Sequence, residues 1–167
     1  MAKLDVSKKP AVKLSIGDKA PDFELPVSME EMWKLSDHIG KQNIVLLFFP
    51  FAFSPPCHKE MCSFRDGFRE FKALDALVVG ISVDNPFVLA KWKEELGLPF
   101  TLLSDYNKHV SPAYGAFHEK LGPLVGMSKR SAFVIDKKGI IRYASVSDDP
   151  LVLPDVGAIT KALEGLK

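Results

Sequence analysis

A run of six apolar residues at 44–49 constrains the fold of this chain more than any other sequence feature. The run is continuous and is closed by Pro50, which is typical of a β-strand that is buried on both faces. Apolar residues then recur at spacings of three and four within residues 57–71, which predicts an amphipathic helix. A second apolar run at 76–82 predicts another buried strand. Strands that are joined through helices imply a parallel sheet, because consecutive parallel strands need a crossover connection.

The rest of the chain continues this alternation and ends with a hairpin and a helix. The predicted elements are a helix that opens at Asp84, Asn85 and Pro86 and ends at Gly97, a strand at 99–105, a helical turn at 110–115, a hairpin of strands 131–136 and 140–145 with Gly139 in its turn, and a helix at 155–167 capped by Asp155. The hairpin adds an antiparallel edge to the parallel section. The chain is therefore predicted to be an α/β protein with a thioredoxin-like mixed β-sheet, flanked by helices on both faces, in a single domain.

The composition and charge argue against nucleic-acid binding, membrane insertion and secretion. Lys and Arg total 22 against 21 Asp and Glu, so the formal charge of +1 offers no basic surface for nucleic acid or an anionic membrane. The longest apolar run is far below the ~20 residues that span a bilayer. No apolar stretch follows the basic N-terminal residues, so we expect no secretory signal and a cytoplasmic location. Residues 1–14 are predicted to form a flexible N-terminal arm, and residues 15–167 the domain.

The two cysteines differ in what their surroundings predict. A cysteine in a reducing compartment is commonly a small buried hydrophobic residue. Cys57, however, follows a buried strand and a proline-containing loop and lies at the start of the next helix. The unpaired N–H groups and partial positive charge of a helix start favour thiolate over thiol. This placement favours a reactive Cys57, with the Ser54 hydroxyl beside its sulfur.

The spacing of the two cysteines limits how they can interact. Cys62 lies five residues after Cys57, which on an ideal helix separates their Cα atoms by ~8.7 Å. This exceeds the ~7 Å limit for a disulfide. Either the two cysteines are unrelated, or the first turns of the helix must unwind before they can bond. Cys57, His58 and Cys62 match no common zinc spacing, so no metal site is expected.

At this segment the sequence resembles the peroxiredoxins. Their motif P-x-x-x-T/S-x-x-C is matched by Pro50, Ser54 and Cys57, and Glu60 stands where the family has an acidic residue. The position of Cys62 is similar to that in the bacterioferritin-comigratory, or Q-type, branch. Ser54 departs from the commoner threonine, which keeps the hydroxyl but loses the methyl group that restricts its rotamer.

Further stretches carry the same resemblance over residues 14–165. They are IGDKAPDFELP at 16–26, GISVD at 80–84, PFTLLSD at 99–105 and KRSAFVIDKKG at 129–139. The last of these stretches has Arg130 at the position of the active-site arginine of the family. Several separate motifs in the same order are more specific than any one pattern.

The resemblance implies a thiol-dependent peroxidase that reduces hydrogen peroxide and organic hydroperoxides. Cys57 would be the peroxidatic cysteine, and Cys62 would resolve its sulfenic acid as an intramolecular disulfide. Ser54 and Arg130 would bind the sulfur and the peroxide, Pro50 would shield the sulfenic acid, and Glu60 would orient Arg130. A thioredoxin- or glutaredoxin-like dithiol would be the reductant, no cofactor would be needed, and the protein would be a monomer or a weak homodimer.

Two other functions remain open from the sequence. In a one-cysteine peroxidase, Cys62 would be structural, and excess peroxide would give sulfinic acid instead of a disulfide. In a redox sensor or relay, Cys57 would pass its oxidation to a partner protein through a mixed disulfide.

Overall fold

A computed structural model describes residues 12–167, so the greater part of the predicted N-terminal arm lies outside the described residues. Within that range the strands are β1 Glu24–Pro26, β2 Met32–Lys34, β3 Asn43–Phe48, β4 Ala76–Ser82, β5 Thr101–Ser104, β6 Phe117–Leu121, β7 Leu124–Ser128, β8 Ser131–Ile135 and β9 Ile141–Val146. The helices are α1 Pro55–Asp66, α2 Phe68–Ala73, α3 Pro86–Leu96, α4 Val110–Ala113 and α5 Val156–Glu164, with a 3-10 turn at Leu35–Asp37.

A five-stranded sheet in the order β5-β4-β3-β8-β9 forms the centre of the protein. The β3, β4 and β5 strands run parallel, whereas β8 pairs antiparallel with both β3 and β9. Every residue of β3 is buried, as expected for a central strand whose two faces are both covered. The predicted α/β class and mixed sheet are confirmed.

The helices are distributed unequally between the two faces of the sheet. One face packs against apolar residues of α1, α2, α3 and α5. The other packs mainly against the β1–β2 hairpin, the 3-10 turn and the short helix α4. Because β3, β4 and β5 follow one another outward, right-handed crossovers place α1, α2 and α3 on the same side. The prediction of helices on both faces therefore holds on the second face only through four residues of α4.

Local sequence signals set most of the helix boundaries. Asn85 caps α3 by accepting from Val88 N–H at 3.0 Å, and Gly97 ends that helix with a φ of +61°. Asp155 caps α5 through Ala158 N–H at 3.0 Å. The helix predicted at 57–71 is instead two helices, because the chain breaks at Gly67 between α1 and α2.

Two hairpins were not predicted from the sequence. The β1–β2 hairpin has three-residue strands, and only the middle residue of each is fully buried. The β6–β7 hairpin is largely polar or exposed along β6. Neither carries a clear alternation of apolar residues. Within residues 12–167, no helix has the length and hydrophobicity that crossing a membrane requires.

Candidate active site

Cys57 lies where the chain passes from the central sheet into its first helix. It is the third residue of α1 and follows the carboxyl end of β3. Its side chain is completely buried, and its Sγ accepts a hydrogen bond from Arg130 Nη2 at 3.2 Å. The thiol is therefore enclosed yet in contact with a fixed cation. An inert core cysteine has no such partner.

The antiparallel register of β3 and β8 brings Arg130 to this position. Phe48, the last residue of β3, pairs with Ser131, the first residue of β8, and Arg130 immediately precedes Ser131. The start of β8 thus lies beside the end of β3. Arg130 is 2% exposed, and its Nε donates to the Pro150 carbonyl at 2.7 Å.

Glu60 completes a buried cluster of three side chains with Cys57 and Arg130. It lies one turn after Cys57 on α1 and accepts from Arg130 Nη1 through Oε2 at 2.5 Å. Its other carboxylate oxygen, Oε1, is buried without a protein hydrogen-bond partner. Burial raises the pKa of Glu60 to about 7 although Arg130 opposes that shift. Arg130 is thus held between a carboxylate and the sulfur.

The Ser54 hydroxyl makes no hydrogen bond to the sulfur, although the sequence predicts that the two groups lie side by side. It donates to the Phe51 carbonyl at 3.0 Å, and no hydrogen bond joins it to Cys57 in the described part of the chain. Ser54 has extended backbone angles just before α1, and the carbonyl three residues earlier satisfies its hydroxyl locally. Pro50 is buried two residues after the end of β3.

Cys62 lies on the same unbroken helix as Cys57, and both cysteines are free. Its side chain is half-buried against the apolar cluster beneath α1. An intact helix from Pro55 to Asp66 keeps the two residues at the separation that the sequence predicted. The structure therefore has the reduced, separated arrangement of the pair.

The segment 50–54, called here the cysteine loop, connects β3 to α1. Ala52 N–H in this loop donates to Asp84 Oδ2 at 2.7 Å. Asp84 follows β4 and therefore lies at the same carboxyl edge of the sheet as the loop. From the sequence, Asp84 is predicted only to open a helix and to belong to the GISVD stretch at 80–84. Its position two residues after a buried parallel strand is the signal that it faces the site.

Two histidines differ in their burial. His58 is exposed although it is adjacent to Cys57. His118 is 8% exposed, and its Nε2 has no protein partner. Within residues 12–167, no group of three or more His, Cys, Asp or Glu side chains is arranged to hold a metal ion.

Comparison with known proteins gives a consistent result along almost the whole chain. The model of the AhpC/TSA family matches residues 16–144. An alkyl hydroperoxide reductase E of Mycobacterium tuberculosis is 37% identical over 155 residues, which cover 92% of this chain and 98% of that protein. A putative peroxiredoxin of the same organism is 41% identical over 134 residues, covering 79% and 85% of the two chains.

A solved structure agrees with these sequence relatives. The crystal structure of the peroxidoxin BcpB from Mycobacterium tuberculosis superposes with a TM-score of 0.79 and 32% sequence identity. The alignment covers 91% of this chain and 97% of that one. The similarity thus extends over the sheet, α1 and the strand that follows Arg130.

Proposed function

Because this chain belongs to the AhpC/TSA family and is a thiol-dependent peroxidase of the peroxiredoxin type, we propose that Cys57 is its peroxidatic cysteine. The observation that carries the assignment is the 3.2 Å contact between Cys57 Sγ and Arg130 Nη2 inside a buried site. Hydroperoxides, both hydrogen peroxide and organic ones, are the substrate class.

In the first step the Cys57 thiolate attacks the terminal oxygen of the peroxide. An S–O bond forms, the O–O bond breaks, and its electron pair leaves on the second oxygen, which takes up a proton and departs as water or an alcohol. Arg130 and the N–H groups at the start of α1 stabilise the negative charge that develops on that oxygen. The sulfur is left as a sulfenic acid.

The neighbouring residues have supporting roles in this proposal. Glu60 accepts from Arg130 and, with the Pro150 carbonyl, fixes the direction of the guanidinium. The Ser54 hydroxyl donates its hydrogen bond to the Phe51 carbonyl, so the lone pairs of its oxygen are available to accept a hydrogen bond from the peroxide. Pro50 is buried beside the loop and limits access of water to the sulfenic acid.

In the second step Cys62 resolves the sulfenic acid. Its sulfur attacks the Cys57 sulfur, an S–S bond forms, and the hydroxyl group of the sulfenic acid leaves as water with the proton from Cys62. Because the intact helix keeps the cysteines apart, residues 57–65 must unfold locally before this bond can form. A thioredoxin- or glutaredoxin-like dithiol then takes up the oxidation by thiol–disulfide exchange. A reducing compartment such as the cytoplasm would supply that dithiol.

A peroxide-consumption assay coupled to thioredoxin and its reductase tests this proposal. We expect turnover by the wild-type protein, none by Cys57→Ser, and consumption of one equivalent by Cys62→Ser. Normal turnover by Cys57→Ser would contradict the peroxidatic assignment.

The same assay examines the one-cysteine alternative, which the partial burial of Cys62 in the apolar cluster favours. Under that alternative, Cys62→Ser turns over as fast as the wild-type protein with a small thiol. A relay function would instead give mixed disulfides with one protein partner and slow turnover with either reductant.

A further inference from the structure

The cysteine loop contains a strained residue that depends on its surroundings. Phe53 has a φ of +67°, a left-handed conformation that bulky side chains rarely adopt. Such a residue keeps this conformation only where neighbouring contacts hold it. Its ring is 49% exposed and lies 6.1 Å from the ring of the buried Trp92. The loop is therefore inclined to leave the conformation in which Cys57 contacts Arg130.

Few hydrogen bonds to the rest of the fold oppose that tendency. Within residues 12–167, the carbonyl of Ser54 accepts from His58 N–H at the start of α1, and the bond from Ala52 N–H to Asp84 Oδ2 is the only hydrogen bond that joins the cysteine loop to a segment other than α1. The Ser54 hydroxyl bonds within the loop itself. Apart from the packing of Ala52 against the core, the loop is thus joined to the sheet by one carboxylate from the neighbouring strand end.

Asp84 is itself fixed by its own strand and by the adjacent one. Its Oδ2 also accepts from Ser82 Oγ at 2.7 Å, and its carbonyl accepts from Ser104 Oγ at 2.5 Å. Burial raises the pKa of Asp84, although the bonds from Ala52 and Ser82 oppose the shift. A half-buried carboxylate with two donors on one oxygen is a rigid anchor, since moving either donor leaves a charge less well solvated.

We propose that Asp84 is a positioning residue that holds the cysteine loop closed and so sets how often the site opens for the Cys57–Cys62 bond. The inference rests on the proposed resolving role of Cys62. While the bond is made, α1 starts correctly and Arg130 contacts Cys57. When it breaks, the strained loop relaxes, the first turn of α1 unwinds, and the two sulfurs can meet.

This role affects a competition at the sulfenic acid. In the closed site a second peroxide molecule oxidises the Cys57 sulfenic acid to sulfinic acid. The O–O bond of that peroxide breaks, and its second oxygen leaves as water or an alcohol. In the open site Cys62 forms the disulfide and releases water. Weakening the Asp84 contact therefore raises the ratio of disulfide to sulfinic acid.

The test is a pulse of excess hydrogen peroxide on the reduced full-length protein, followed by mass spectrometry of Cys57. Loss of a hydrogen bond to a charged acceptor shifts a local equilibrium by about tenfold or more, so Asp84→Ala should raise the ratio by about that factor. Asp84→Asn keeps an oxygen that can accept from Ala52 and should stay near the wild-type ratio. The matched control is Asp136→Ala, which removes an aspartate that accepts backbone N–H bonds in a distant turn.

Hydrogen exchange of the reduced proteins separates this inference from the proposed function. Asp84→Ala should speed exchange in the peptide that contains the cysteine loop, and Asp136→Ala should not. If the wild-type protein forms no disulfide, the resolving role of Cys62 fails. If the wild-type protein forms it but Asp84→Ala changes neither the ratio nor the exchange, or Asp136→Ala changes both equally, the role of Asp84 is wrong. Should Asp84→Ala not fold, Ser82→Ala removes the second donor and should act in the same direction.

Discussion

Strand β8 has an arginine–carboxylate pair at each end, and the two pairs behave differently. Arg130 directly precedes the strand and bonds Glu60 at 2.5 Å, with side chains that are 2% and 0% exposed. Asp136 directly follows the strand and bonds Arg142 at 2.7 Å, with side chains that are 12% and 41% exposed. The chemical groups and distances are similar, so the difference between the pairs is their burial.

Burial decides what each carboxylate does. Partial burial acts to raise the pKa of Asp136, but the Ile140 amide, the Arg142 guanidinium and the Lys138 amide together hold it below its usual value. At Glu60 burial outweighs Arg130, and one carboxylate oxygen has no protein partner. The exposed pair stabilises a turn. The buried pair contributes little net stability, because the desolvation of both groups offsets their attraction. Its effect is to hold the Arg130 guanidinium against the Cys57 sulfur.

The largest expected effect is on stability when one member of the buried pair is removed. Glu60→Ala leaves Arg130 buried without its counter-ion, which should lower the free energy of unfolding by about 3–5 kcal/mol. Asp136→Ala loses two hydrogen bonds from backbone N–H groups and the solvent-screened Arg142 pair at the turn, and should cost only about 1–2 kcal/mol. Urea unfolding at one pH measures both values. Equal losses would mean that burial does not distinguish the two pairs.

The next effect is on catalysis. Arg130→Met removes a donor aimed at the reacting sulfur and should slow the oxidation of Cys57 by about 100- to 1000-fold. Arg142→Met makes the same chemical change at the other end of β8 and should leave that rate unchanged. Stopped-flow oxidation of both variants by hydrogen peroxide measures the rates. A similar slowing in both would place the effect in the sheet and not in the site.

A smaller effect is an opposite dependence on pH at the two ends of the strand. Glu60 has a folded pKa of about 7 against 4.5 unfolded, so the folded state binds more protons between these values. The contribution of Glu60 to the free energy of unfolding is therefore complete below pH 4.5 and is lost as the pH rises through about 7. Asp136, with a lowered pKa, contributes above its usual value of 3.8 and loses that contribution as the pH falls below it.

Free energies of unfolding measured over a pH series check these two opposite pH dependences. Glu60→Gln should remove the decline that the wild-type protein shows between pH 4.5 and 7. Asp136→Asn should remove part of the fall in the free energy of unfolding that occurs in acid, and should leave its pH dependence in the neutral range unchanged. A Glu60→Gln curve parallel to that of the wild-type protein would show that Glu60 is ionised throughout.

The smallest effect concerns the exposed guanidinium. Arg142→Gln should lower the free energy of unfolding by about 0–1 kcal/mol, because the side chain is 41% exposed and solvent screens the pair. High salt should reduce the difference further. A loss above about 2 kcal/mol would contradict the assignment of this pair as a weak surface contact.

The strands and helix ends were predictable because their signals are local. The apolar run of β3, the cap at Asn85 and the stop at Gly97 each depend on a few neighbouring residues. The one-sided packing of α1, α2 and α3 was not predicted, since it follows from strand order and crossover handedness. The break at Gly67 also escaped the pattern, because apolar spacing continues across it.

The site was predictable in its residues and less so in its contacts. Cys57 and Arg130 lie 73 positions apart, and only the motifs of the resemblance linked them before the β3–β8 register brought them together. The bond from Ser54 to Phe51 depends on a rotamer that the sequence does not specify. The bond from Ala52 N–H to Asp84 Oδ2 joins residues 32 positions apart. The position of Asp84 after a buried parallel strand signals the edge of the sheet at which it lies but not this partner.

The most direct test is to map the first site of oxidation. Lys59 lies between the cysteines, so trypsin releases them on separate peptides unless a disulfide joins 42–59 to 60–65. After one equivalent of hydrogen peroxide, Cys62→Ser should carry a dimedone-trapped sulfenic acid on the peptide of Cys57, and the wild-type protein should give the linked pair. Trapping on the peptide of Cys62 in Cys57→Ser at the same rate, with Cys57 unmodified in Cys62→Ser, would contradict the account.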